Sequence, residues 1–204
     1  KVIINKKRRK IMQHKLMNVE ALWPKIDRPY KWSTEQNRSV PTEATDPEGK
    51  YELNLVITDN QAKELAKVMK DEFKNKKEKG WKEWAPKGLD DIFKKDDGVW
   101  QVKTVKKTYS DTSSKPSQYM LDGTKCPDDF QLTTGSKIHV MLLVKPWNYA
   151  GKSGVTLRPA AIKVVELRER LDGGDPFADQ TVKAAVSDDP FATNANDFDD
   201  EIPF

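Results

Sequence analysis

Residues 135–167 read GSKIHVMLLVKPWNYAGKSGVTLRPAAIKVVEL. Ile138, Val140, Leu142 and Val144 recur at every second position, the period of a strand with one face on a core. A polar loop carrying Trp147, Tyr149, Gly151 and the lysines 145 and 152 follows, then a second β-rich run over 154–167. Pro159 interrupts that run. Proline lacks the amide proton a ladder needs, so an edge or a bulge is expected there.

Working outward, the same period recurs in KLMNVEALW (15–23), which places Met17, Val19, Ala21 and Trp23 on one face. It recurs in KYELNLVIT (50–58) with Tyr51, Leu53, Leu55 and Ile57, and less cleanly in GVWQVKTVKK (98–107). Trp23 and Trp100 are thereby assigned to the core. Between the second and third of these strands, residues 59–80 have helical spacing at Ala62, Leu65, Ala66, Met69 and Phe73. Thr58 and Gln61 form a capping box in front of it, and Gly80 offers a stop behind a lysine-rich last turn. Five strands and one amphipathic helix in about 150 residues predict a mainly β fold, a small closed barrel capped by one α-helix. The connections over 27–49 and 108–136 are long and polar, as functional or mobile loops are.

The 204 residues carry a net charge of +4, but the signs are segregated. Residues 172–204 hold nine acids and one lysine, a net of −8, leaving +12 on the rest. Cys126 is the only cysteine, and His14 and His139 are the only histidines. That excludes an intramolecular disulfide and argues against a structural zinc site or a histidine-based nucleophilic unit. Neither a phosphate-cradling glycine loop nor a membrane-length apolar run is present. The acid pairs Asp90–Asp91, Asp96–Asp97 and Asp128–Asp129 flank predicted turns, which accounts for them, with a metal-dependent nuclease as a further reading of the same pairs. No enzyme, metal or cofactor is expected. With no initiator Met the chain is expected to be processed or trimmed, and a reducing cytoplasm suits it.

Cations interleaved with aromatic rings are the informative pattern. The first long loop carries Arg28, Lys31 and Trp32; the segment after the helix carries Trp81 and Trp84. Lys103, Lys106, Lys107 and Tyr109 follow in and after the third strand. The final pair of strands contributes Lys145, Trp147, Tyr149, Lys152 and Arg158. Single-stranded nucleic acid needs this pairing: cations neutralise phosphates, and flat rings accept unstacked bases at about 1–3 kcal/mol each. Any one of these tryptophans fits a core role equally well, but Trp147 and Tyr149, in a polar loop, are the better candidates. KKRRK (6–10) forms a separate basic arm able to track phosphates. The chain therefore divides into an arm (1–14), a binding domain (15–171) and an acidic tail (172–204) whose composition is that of a disordered segment.

Pro-Phe recurs in the tail as DPFAD (175–179), DDPFA (188–192) and EIPF (201–204). Carboxylates with rings between them imitate phosphates with bases, and can also dock in a basic, apolar pocket. DFDDEIPF (197–204) resembles the C-terminal tip of bacterial single-stranded DNA-binding proteins. That resemblance implies partner binding through Asp197, Phe198, Asp199, Asp200, Glu201, Ile202, Pro203 and Phe204. The body instead resembles the single-stranded DNA-binding proteins of podoviruses, chiefly over 135–167 and more weakly at LWPKID (22–27) and the helix.

This second resemblance implies an OB-fold five-stranded barrel and places Trp147 in the DNA-binding region. It further implies a protein that coats and protects single-stranded DNA in replication and recombination. The expected partners of the tail are a polymerase, a helicase-primase or host repair proteins. A homodimer and residence in the cytoplasm of an infected bacterium belong to the same expectation. An adaptor with little DNA affinity is the alternative.

If the tail occupies the DNA-binding site when DNA is absent, deleting residues 172–204 tightens oligo-dT binding and abolishes partner recruitment. Unchanged affinity in a fluorescence titration leaves the tail with recruitment alone.

Overall fold

The computed structural model describes residues 11–84, 87–108 and 115–169. The arm at 1–10, Tyr109 and the whole tail, including the residues from Asp197 to Phe204, lie outside the described residues. Among the described residues eight strands form one sheet: Met12–Ser33 (β1), Arg38–Pro41 (β2), Lys50–Ile57 (β3), Phe93–Asp96 (β4), Val99–Lys107 (β5), Ser117–Tyr119 (β6), Lys137–Tyr149 (β7) and Lys152–Glu166 (β8). The helices are Asp59–Lys76 (α1) and the single turn Lys87–Asp90 (α2).

The five long strands pair antiparallel in the order β5–β3–β1–β7–β8. At the ends of that path β5 and β8 come together with no ladder between them among the described residues, so the barrel stays open at one seam. This is the partly open five-stranded barrel of the OB type, and the expectation of closure is corrected. Three short strands escaped the sequence reading. β4 makes a hairpin on β5, β6 runs parallel beside β8, and β2 pairs with the far end of β1. β1 is 22 residues long and overshoots the barrel, so part of the loop expected over 27–49 is strand. Its polar composition hid it, because both faces of an overshooting hairpin meet water.

The core side of the barrel carries the predicted residues of β3 and β7: Tyr51, Leu53, Leu55 and Ile57, with Ile138, Val140, Leu142 and Val144, all buried. In β1 the predicted alternation breaks. Leu16 faces Val140 and Val19 faces Ile138, so Met17 and Asn18 together oppose His139 in a bulge. Asn18 takes a left-handed φ of 53°, and its amide donates to His139 Nδ1 at 3.1 Å. The inserted residue shifts the phase, so Met17 is exposed while Leu16, Val19 and Ala21 are buried. A second break follows Leu22, and Trp23 emerges 60% exposed. The assignment of Trp23 to the core is therefore corrected. Trp100 sits at the core margin instead, its indole N–H donating to Asp59 at 2.6 Å and its ring meeting Phe93 edge-on. In β8 the break falls where it was expected. Pro159 opposes Leu142 and Ala161 opposes Met141, leaving Ala160 as the extra residue.

Helix α1 lies between the second and third long strands and packs its apolar stripe, Ala62, Leu65, Met69 and Phe73, on the barrel. Each large side chain of that stripe stabilises the fold by roughly 1.5–3 kcal/mol relative to exposure. The capping box is complete: Thr58 accepts from the Gln61 amide, and Gln61 Oε1 accepts from the Thr58 amide at 3.0 Å. The helix ends earlier than Gly80, at Lys77, whose amide donates to the Phe73 carbonyl at 2.8 Å.

Thr58→Ala removes the hydroxyl that holds the Gln61 amide. The expected loss is about 1 kcal/mol in urea unfolding, with an unchanged denaturant slope.

Candidate nucleic-acid interface

The β7–β8 hairpin positions the site. Its strands pair from Lys137 opposite Glu166 to Tyr149 opposite Lys152, closed by the two residues Ala150 and Gly151. Both have positive φ (49° and 72°), the primed turn whose twist matches the strands it joins. Directly opposed residues share a face, so Lys145 sits beside Thr156 and Trp147 beside Gly154. A Cβ on Gly154 would stand 2.8 Å from Trp147 Cζ2, so the indole lies on that glycine's backbone. The absent side chain is what seats the ring while leaving it 38% exposed. Tyr149, next on the same face, is 80% exposed.

Across the open seam, β5 faces this hairpin. A groove of about 770 Å³ runs between them, lined by Val105, Lys107, Lys145, Trp147, Tyr149, Thr156 and Arg158. Three of those residues are cationic, two are aromatic and none is acidic. Five of the sequence-predicted residues, Lys107, Lys145, Trp147, Tyr149 and Arg158, thus meet at one place although up to 51 positions separate them. Lys106, the neighbour of Lys107, points the other way and is 8% exposed. Burial first, and Arg158 second, push the Lys106 and Lys145 ammoniums below the ordinary lysine range. An anion entering the groove would reverse the second effect and draw their pKa values back up. Such a field favours polyanions with flat groups, and the primed turn sets Lys152 at the hairpin's end.

Other predicted residues lie elsewhere. Arg28 is paired with Asp27 at 2.8 Å, and Lys31 with Asp46 at 2.9 Å. Asp46 is held at about 2 by the Thr42 hydroxyl and by Lys31, so the Lys31 charge is already partnered. Trp32 stands exposed beside Lys31 on the β1–β2 hairpin. Trp81 and Trp84 pack tilted against Phe73, with centroids 6.0 and 5.8 Å away. Trp81 also borders a groove of about 180 Å³ with Ile11, Val144, Lys145 and Pro146. Lys103 lines a separate groove of about 460 Å³ with Trp23, Lys25, Asn54 and Lys94. Sequence reasoning missed Val105 and Thr156, whose roles come only from facing the groove. It missed Trp23 because the alternation pointed inward.

The acid pairs are turn-formers here as well. Asp97 and Gly98 close the β4–β5 hairpin with φ of 46° and 80°, and Asp128 pairs with Lys125 at 3.7 Å. Among the described residues no cluster of His, Cys, Asp and Glu could hold a metal ion, and no helix is long and apolar enough to cross a membrane.

Barrel, seam and groove define an OB-fold chain with a cationic, ring-bearing cleft. Compared by sequence, the chain matches no protein-family model and no curated protein. Compared by fold, it is similar to the single-stranded DNA-binding protein of bacteriophage Enc34 in complex with ssDNA. There the TM-score is 0.56 at 16% identity, covering 78% of this chain and 89% of that one. It is also similar to gp2.5, a single-stranded DNA-binding protein encoded by bacteriophage T7. That match has a TM-score of 0.53 at 19% identity, covering 84% of this chain and 95% of the other. The likeness is one of fold.

Gly154→Ala places a methyl group where the Trp147 ring lies. The expected result is a red shift of Trp147 emission as the ring lifts into water. It is read as the difference between spectra taken with and without Trp147→Phe.

Proposed function

We propose that this protein binds single-stranded DNA without catalysis, by electrostatic tracking of phosphates and stacking of bases. The observation that carries the reading is the groove of Lys107, Lys145 and Arg158 around Trp147 and Tyr149, free of acidic lining. It lies where OB barrels hold oligonucleotides, at the loop between the last two barrel strands and the face of the third. The two phage proteins of like fold bind single-stranded DNA by their names, which supports the same ligand here. The finer role follows from the sequence. The protein coats and protects single-stranded DNA during replication and recombination in an infected bacterium. Its tail tip, Asp197 to Phe204, recruits a polymerase, a helicase-primase or host repair proteins.

Titration with oligo-dT tests the reading. Tryptophan emission is quenched, and log K falls with log salt at about −0.7 per phosphate neutralised. Trp147→Ala weakens binding about 5- to 150-fold, the worth of one stack, with the salt slope unchanged. Lys145→Gln flattens the slope by about 0.7. Salt-independent affinity or unquenched emission sinks the proposal and favours the adaptor. Competition with duplex DNA decides strand preference.

A further inference from the structure

The outer face of the sheet carries a second groove, about 460 Å³, between β1, β3, β5 and the β4 hairpin. Trp23 stands in its wall, 60% exposed, with φ of 45°. A bulky side chain in the left-handed region is uncommon and strained, and such strain gathers where a residue must be aimed. The Trp23 amide is anchored there by the Thr134 hydroxyl at 3.0 Å. Just beyond Leu22 the β1–β3 register slips, and bulges of that kind redirect side chains. Without the slip, the alternation would bury this ring. The fold instead turns this large ring into water, beside a groove.

The groove supplies what a nucleotide needs besides a ring. Asn54 and Lys103 are directly paired across β3 and β5, and Lys94 and Gln101 across β4 and β5. Among the described residues Lys94 and Lys103 have no carboxylate partner, and the side-chain amide of Asn54 makes no hydrogen bond. Glu52 is already held by Lys50 at 3.0 Å and Lys25 at 3.9 Å, which leaves Asp91 at the rim as the unpaired acid. An amide can meet a base edge, and two cations can meet phosphates.

The second groove is in line with the first. Gln101, Lys103, Val105 and Lys107 alternate along the outer face of β5. The first two line the Trp23 groove, and the last two line the Trp147 groove. Lys103 and Lys107 are four residues apart, about 13 Å along the strand, a run a few nucleotides of extended chain can cover.

We infer that Trp23, with Asn54, Lys94 and Lys103, forms a second base-stacking subsite for single-stranded DNA. Strand β5 carries the DNA from there to the Trp147 groove. The inference rests on the proposed DNA-binding function and extends it: Trp23 sets the length of strand the protein holds.

Affinity is measured for wild type, Trp23→Ala and Trp147→Ala over oligo-dT lengths from about four to about sixteen nucleotides, the range of OB-fold sites. Trp23→Ala matches wild type on the shortest strands and falls about tenfold behind on strands long enough to span both grooves. Trp147→Ala loses affinity at every length. Trp23→Gly removes the ring and relieves the left-handed backbone, so it keeps the fold and shows the same length-dependent loss. Lys94→Gln with Lys103→Gln lowers the salt slope by about 1.4, on the long strands only. Parallel length curves for wild type and Trp23→Gly, with Trp147→Ala still impaired, overturn the subsite and leave the first groove standing. Absence of oligo-dT binding by the wild type overturns the functional reading beneath both.

Discussion

Everything at the interface depends on the antiparallel register of β7 and β8. The ladder fixes which residues stand opposite one another, and opposed residues share a face. Lys145, Trp147 and Tyr149 therefore project to the same side as Thr156 and Arg158, and Trp147 falls on Gly154 rather than on a side chain. A slip of one residue would send the cations and the rings of β7 inward and bring Val144 out. The primed turn at Ala150–Gly151 and the bulge at Ala160 hold that register from its two sides.

The second constraint is that the barrel stays open. Because β5 and β8 meet with no ladder among the described residues, their outer faces form the walls of a groove, and cations from strands far apart in the chain face one another. Burial is the larger cause of the lowered Lys106 and Lys145 pKa values, and the charge of Arg158 adds a second, repulsive one in the empty protein. That repulsion is lifted when an anion enters, so the seam holds charge in a state that favours phosphate.

Much of the core was legible in sequence. Alternation in β3 and β7 and the helical stripe of α1 name residues that are buried, since a strand or helix with one dry face must repeat its apolar side chains at its own period. The Thr58–Gln61 box was legible for the same local reason. Bulges broke the reading. At Asn18 and near Trp23 a single residue with positive φ shifts the period, and nothing in KLMNVEALW marks where that happens. The polar strand end of β1 and the short β2, β4 and β6 were illegible because they are too short or too polar to carry an apolar period; β4 buries only Phe93, and β6 buries only the polar Gln118.

What the sequence by itself determined is the fold class, the segregation of charge and the pairing of cations with rings, because these are properties of composition and local period. Only the tertiary structure decided which of those residues act together. Lys31 is taken up by Asp46, and Trp81 and Trp84 pack on Phe73, while Lys107, Lys145, Trp147, Tyr149 and Arg158 surround one groove. Local period cannot reveal such a grouping, since it follows from strand order and from the phase shifts at bulges, both set by long-range pairing.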